Sequence, residues 1–249
     1  MPPVYPRCHC DGFQFFLDLP RELRDNVYRF LVADLPSRVF VSSRMPLSAL
    51  VLQPDTLPSI SFVSKRLQSE SVLIYLQRTR FIFDDMFPRT VEHGVQPLEA
   101  FLHRFDRGFE SIRMLTFHNV SRFGSARLPD DRSPATFITR CTGLRDLVIQ
   151  FRFSYLLHFE VVDEEMDVEP RVRLLKKSEI RDRWGLDGLF EMEKLKSVRF
   201  KCAVARWHME DYKFESADEI VENLSEVIKE GFEEHGRLLT WSVEAGLPS

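Results

Sequence analysis

Glycine is scarce. Only ten glycines are spread over 249 residues, and nowhere do they gather into a phosphate-cradling loop. There is no Gly-x-Ser-x-Gly nucleophile elbow; Gly124-Ser125 stands alone between Arg122 and Arg127. No His-Glu-x-x-His and no two-histidine–carboxylate spacing occurs, so the usual hydrolytic metal sites are not expected. The four cysteines sit at 8, 10, 141 and 202. Cys8-His9-Cys10 has soft ligands, but its cysteines are closer together than the two to four intervening residues typical of zinc sites. Scattered cysteines without a signal segment read as reduced thiols, and MPPVYPRCHCDG has no apolar h-region. No apolar run approaches the ~20 residues of a membrane helix. Charge of one sign is also missing: 34 basic against 38 acidic residues leave a net charge of −4, with no general pull toward nucleic acid or an anionic membrane. These absences point away from catalytic, metal and cofactor chemistry.

Phenylalanine, with 22 copies against 3 tryptophans and 5 tyrosines, is abundant and implies an aromatic interior. Two segments near the N-terminus read as helices. In FFLDLPRELRDNVYRFL, Pro20 suits a helix start, and Leu19, Leu23, Val27 and Leu31 recur every four residues. Arg21–Asp25 and Asp25–Arg29 are spaced for i,i+4 pairing. In ISFVSKRLQSESVLIYLQRTRFIF, Pro58 opens the segment. Ile60, Val63, Leu67 and Ile74 form a second stripe, and Arg80 to Phe83 reads as a strand. The two stripes are expected to pack on each other, which places Val27 in the core. Glu70 lies beside the second stripe, and a carboxylate there needs a partner. Arg24 is the candidate, with Arg66 as the local alternative.

Leu19-Pro20-x-Glu22-Leu23-Arg24-x-x-Val27-Tyr28-x-x-Leu31, followed by Val63-Ser64-Lys65-Arg66-Leu67, resembles the F-box, most of all the F-box-like modules of filamentous fungi. Glu70, Tyr75, Phe81 and Phe83 fit the second helix and strand of that module. The resemblance covers about the first third of the chain. It implies a docking platform for the Skp adaptor of cullin-RING ubiquitin ligases, with Leu19, Pro20, Leu23 and Val27 as adaptor-binding positions. Val39-Phe40-Val41 and a loop with proline and serine separate the two matching segments. Lying over the docking edge, they would close it.

Beyond the module a pattern recurs. Ile112-Arg-Met-Leu115-Thr-Phe117 is echoed by Leu144-Arg-Asp-Leu147-Val-Ile149 and Leu195-Lys-Ser-Val198-Arg-Phe200. This is a degenerate form of the leucine-rich-repeat strand, L-x-x-L-x-L, without its asparagine ladder position. Helix-like stretches at 97–107, 134–140 and 178–191 precede the three strands. A long amphipathic stretch, 216–235, precedes a last strand at 238–243. Helix–strand alternation predicts parallel strands with right-handed crossovers. Tyr155–Val162 and Arg171–Leu175 also allow a hairpin, with the acidic run Asp163–Glu169 between them. The expected fold is therefore α/β (α+β overall): a flexible tail at 1–12, an F-box-like two-helix module at 13–92 and a degenerate leucine-rich-repeat-like stack at 93–249. An ordinary α/β domain is the alternative to a repeat stack.

Strand alternation puts the signature positions in the core and the residues between them on the opposite face of the sheet. Thr116, His118, Val148, Gln150, Arg152, Arg199 and Lys201 then form a mixed, partly basic surface suited to an acidic protein segment, unless a helix covers it. Together these readings describe a non-enzymatic protein of the cytoplasm or nucleus that needs no cofactor and binds proteins, not nucleic acid or membrane. It would be an F-box-type substrate adaptor. A closed F-box-like scaffold without adaptor binding is the first alternative, and a small enzyme using the open sheet face the second.

Overall fold

A computed structural model describes residues 16–42, 57–84, 95–120, 134–160, 171–204, 212, 214 and 216–246. The Cys8-His9-Cys10 tail, the loop at 43–56 between the two F-box-like segments, the Gly124-Ser125 pair and the Asp163–Glu169 run lie outside the described residues.

Helix α1 (Arg21–Leu31) follows an exposed Pro20, which occupies the N-cap. Strand β1 (Arg38–Ser42) comes next. Ser59–Phe62 forms a short 3-10 turn, and α2 (Lys65–Arg78) starts only after Ser64, whose Oγ accepts the Leu67 N–H at 3.3 Å. Thr79 ends α2 in extended conformation and feeds β2 (Arg80–Asp84). The later units alternate helix and strand: α3 (Gln96–Leu102), α4 (Gly108–Ser111), β3 (Met114–Phe117), α5 (Pro134–Arg140) and β4 (Asp146–Arg152). A 3-10 turn then leads into an antiparallel hairpin, β5 (Leu157–Glu160) and β6 (Arg171–Leu174). Two short helices follow, α6 (Lys177–Trp184) and α7 (Asp187–Phe190), broken at Gly185, whose φ of 56° is left-handed. The chain finishes with β7 (Ser197–Ala203), the long α8 (Ala217–Glu234) and β8 (Thr240–Gly246). Ser216 caps α8 by accepting the Glu219 N–H at 3.2 Å.

The molecule is α/β. Six strands make one sheet in the order β1-β2-β3-β4-β7-β8, all pairs parallel. Strands thus lie side by side in chain order, as a repeat stack requires. The hairpin lengthens the unit between β4 and β7, which accounts for the uneven spacing of the strand signatures. In-register columns fill the core side: Phe81, Leu115, Leu147 and Val198 form one, and Phe83, Phe117, Ile149 and Phe200 the next. All eight are buried. Phe83 and Phe117 stack with centroids 4.7 Å apart, and Phe137 of α5 meets Phe83 edge-on.

Two expectations are corrected. The module at 13–92 and the stack at 93–249, expected as distinct units of the chain, share one core. Tyr28, Val32, Val39 and Leu67 belong to the same buried cluster as Phe200 and Ile228, and β1 and β2 continue the sheet from β3. The leucine stripe of α1 does not face α2 either. Leu19, Leu23, Val27 and Leu31 are exposed, as is Val63 of the second stripe. The buried side of α1 carries Arg24 and Tyr28 instead, and the chain beyond it buries Val32. An arginine can occupy that side because its charge is matched there.

Candidate interaction surface

The inner face of α1 is fastened to α2 by one carboxylate. Arg24 Nε donates to Glu70 Oε2 and Arg24 Nη2 to Glu70 Oε1, both at 2.9 Å, a planar two-point match between guanidinium and carboxylate. The Tyr28 hydroxyl also donates to Glu70 Oε2 at 2.9 Å. Arg21 Nη1 approaches Glu70 Oε1 to 3.3 Å, and Arg66 Nε lies 3.4 Å from the same oxygen. Arg24 Nη1 donates to the Leu17 carbonyl at 3.0 Å and to that of Leu19, tying down the turn that enters α1. Arg24 and Glu70, the pair expected from sequence, thus meet in a buried site. Burial pushes the Glu70 carboxyl up. The hydrogen bonds from Arg24 and Tyr28, with the positive charges of Arg21 and Arg24, outweigh it and leave the carboxyl below its ordinary range. Burial, followed by the bond to Glu70, pushes the Tyr28 phenol well above its usual value. At the other end, Arg78 Nη1 and Nη2 donate to the carbonyls of Val32 and Ala33, closing the C-terminal turn.

With its polar side anchored, α1 turns its leucines outward. Leu23 is 49% exposed, Val27 39% and Phe30 78%, and Leu19, Pro20 and Leu31 are exposed beside them. Arg21 Nε binds Asp25 Oδ1 at 2.6 Å, one of the two expected i,i+4 pairs; Arg29 Nη1 instead donates to Asn26 Oδ1 at 2.9 Å. A contiguous apolar helix face in water is a feature of interaction sites. Val39–Val41 do not form a separate lid; they are β1, paired with β2 through Val39↔Phe81 and Val41↔Phe83.

The open face of the sheet is less available than its alternation implies. Arg80 Nη2 crosses β3 to donate to Asp146 Oδ2 at 2.9 Å, while its Nη1 donates to Thr116 Oγ1 at 3.2 Å. Arg199 Nη2 reaches Asp146 Oδ1 at 3.4 Å. Thr116, beneath the Arg80 guanidinium, is 6% exposed; Val148, between Thr116 and Arg199 in register, is 9% exposed. Neither presents a contact surface, so both leave the expected target-binding set. Arg152 and Lys201 are exposed, and Gln150, Arg199 and His118 are half-buried. His118 follows β3 and its N–H donates to the Phe83 carbonyl at 2.8 Å.

Sequence reading missed a third feature, a cleft of ≈ 560 Å³ at the start of β7 and β8, lined by Arg145, Lys194, Lys196, Arg237 and Leu238 among others. The available signal was the lysine and arginine placed just before each strand. Among the described residues no group of three or more His, Cys, Asp or Glu side chains is placed to hold a metal ion, and no helix is long and apolar enough to cross a membrane. No family model, curated protein or solved structure matches the chain.

Proposed function

We propose that this is a non-enzymatic protein-interaction protein of the cytoplasm or nucleus, an F-box-type substrate adaptor. In this reading α1 docks the Skp adaptor of a cullin-RING ubiquitin ligase and the strand-and-helix stack selects a target. The observation that carries the reading is the orientation of α1. Its motif positions Leu19, Pro20, Leu23 and Val27 point to solvent, while the opposite side is held by the Arg24–Glu70–Tyr28 cluster. A helix held on its polar side and apolar on its outer side is built to receive a partner. Co-elution of the purified chain with purified Skp adaptor on size exclusion tests it. Leu23→Asp is expected to abolish co-elution without changing the melting temperature, because it places a charge on a water-facing site in the free chain.

One observation favours a second reading, the closed scaffold. Tyr28 and Val32 share the core of the whole sheet, and β1 forms its edge, so the N-terminal segment also serves as the terminal cap that a repeat stack needs. In that case the wild-type chain would elute alone.

A further inference from the structure

The backbone ladder brings cations together at the start of the strands. The Arg113 carbonyl accepts the N–H groups of Arg145 at 2.9 Å and Asp146 at 3.0 Å. The Arg145 carbonyl in turn accepts those of Lys196 at 2.8 Å and Ser197 at 2.9 Å. Arg113, Arg145 and Lys196 therefore stand side by side, one strand spacing of ~4.8 Å apart. Like charges on adjacent strands are destabilising. Arg113 relieves part of this by folding its Nη1 onto the Gly143 carbonyl, and burial with the neighbouring Arg145 charge lowers its pKa. Arg145, Lys194 and Lys196 form no ion pair among the described residues, although all three are exposed. Arg237 is positioned from below: its Nη2 donates to the Glu193 carbonyl at 2.8 Å and to that of Leu195 at 3.3 Å. The lining of the cleft carries four cations and one carboxylate, Glu193, with Glu110 held by Arg107 but near enough to feel the Lys194 charge, in a chain whose net charge is −4. Its rim carries Leu238, fully exposed.

We propose that this cleft binds a short acidic peptide segment of a target protein, with carboxylates against Arg145, Lys194, Lys196 and Arg237 and a neighbouring aliphatic side chain against Leu238. Charge complementarity selects the acidic residues, and the bare leucine selects the aliphatic one. An extended polyanion such as nucleic acid fits less well. Beyond the cleft it would meet the chain's net negative charge and the C-terminal end of α8, where Glu230, Glu233 and Glu234 stand a few residues before Arg237. A short peptide confines its charge to the cleft. The proposal names the target chemistry for the recruitment reading and rests on it for its biological purpose, but the binding event itself needs no adaptor.

The test is panning of a random twelve-residue display library on the purified full chain without adaptor. Recovered peptides are measured by fluorescence anisotropy against the wild type, Lys194→Glu/Lys196→Glu, Leu238→Ser and Leu23→Asp. The expected result is enrichment of Asp and Glu beside an aliphatic residue. Affinity should fall at least tenfold in the charge-reversal variant and severalfold in Leu238→Ser, with melting temperatures unchanged and Leu23→Asp binding like the wild type. Absence of acidic enrichment, or equal affinity after charge reversal, overturns the proposal, as does a ten-nucleotide RNA that displaces the peptide at lower concentration. Peptide binding retained in a chain that never binds Skp adaptor would remove the adaptor reading alone.

Discussion

Glu70 accepts from two residues of α1 at once, so its loss should be felt along the whole helix. Glu70→Gln keeps the shape but leaves Arg24 charged and unmatched in a buried site, and should cost roughly 1–3 kcal/mol in chemical denaturation. Because the folded-state pKa of Glu70 is lowered, its contribution is present above the unfolded value near ~4.3 and is lost as pH falls through the folded value. The stability gap between wild type and Glu70→Gln should therefore narrow below about pH 4, as read from urea melts at several acidic pH values. Tyr28→Phe removes only the hydroxyl bond and should cost about 1 kcal/mol. Cys141 and Cys202 are both buried; burial pushes the Cys202 thiol up to about 12 and Cys141 higher still. Peptide mapping after iodoacetamide treatment should find both unmodified in the native protein and alkylated only in denaturant. Modification of Cys202 under native conditions would show that the sheet opens at β7, and modification of Cys141 that the end of α5 lifts from the core. Of these contacts, Arg24–Glu70 was legible because a carboxylate beside an apolar stripe requires a cation within reach. The Tyr28 bond was not legible, since the phenol's direction depends on which side of α1 is inward.

That inward side is where reading by periodicity failed for α1. A leucine every fourth residue marks an apolar face but does not say what covers it, and here the neighbouring positions Arg24 and Tyr28 turn inward. Burial of an arginine costs little once two carboxylate oxygens and the carbonyls of Leu17 and Leu19 accept its N–H groups, so the polar stripe competed successfully with the apolar one. Val27→Asp should consequently shift stability by no more than ~0.5 kcal/mol in thermal melts, as for an ordinary surface site. A collapse of the melting transition would restore the opposite packing. The repeat strands were legible because L-x-x-L-x-L states two constraints together, alternation and an entry residue. Ile112, Leu144 and Leu195 enter, and the next signature residues face the core. The turn between α6 and α7 was not marked in advance. Gly185 takes a left-handed φ of 56° there, and Gly185→Ala should destabilise by roughly 1 kcal/mol.

At the scale of the whole molecule, one six-stranded sheet takes in both the N-terminal and the C-terminal strands, and among the described residues one buried cluster runs from Tyr28 to Phe232. This continuity was hidden in the sequence because β1 is only five residues long and pairs with β2 across a long sequence gap. Local patterns do not announce such a contact. The chain should unfold in one cooperative transition by far-ultraviolet circular dichroism and by tryptophan fluorescence, with coincident midpoints. A fragment of residues 93–249 should lack a cooperative melt, because it loses Phe83 from its stack on Phe117 and bares the edge of β3. Two separated transitions, or a well-folded fragment, would mean independent domains. Adaptor docking by α1 is tested most directly by isothermal titration calorimetry of the purified chain with purified Skp adaptor. The wild type should bind at micromolar concentrations, and Leu19→Ala/Pro20→Ala should abolish the heat while leaving the circular dichroism spectrum unchanged; no heat from the folded wild type would contradict docking and favour the closed scaffold.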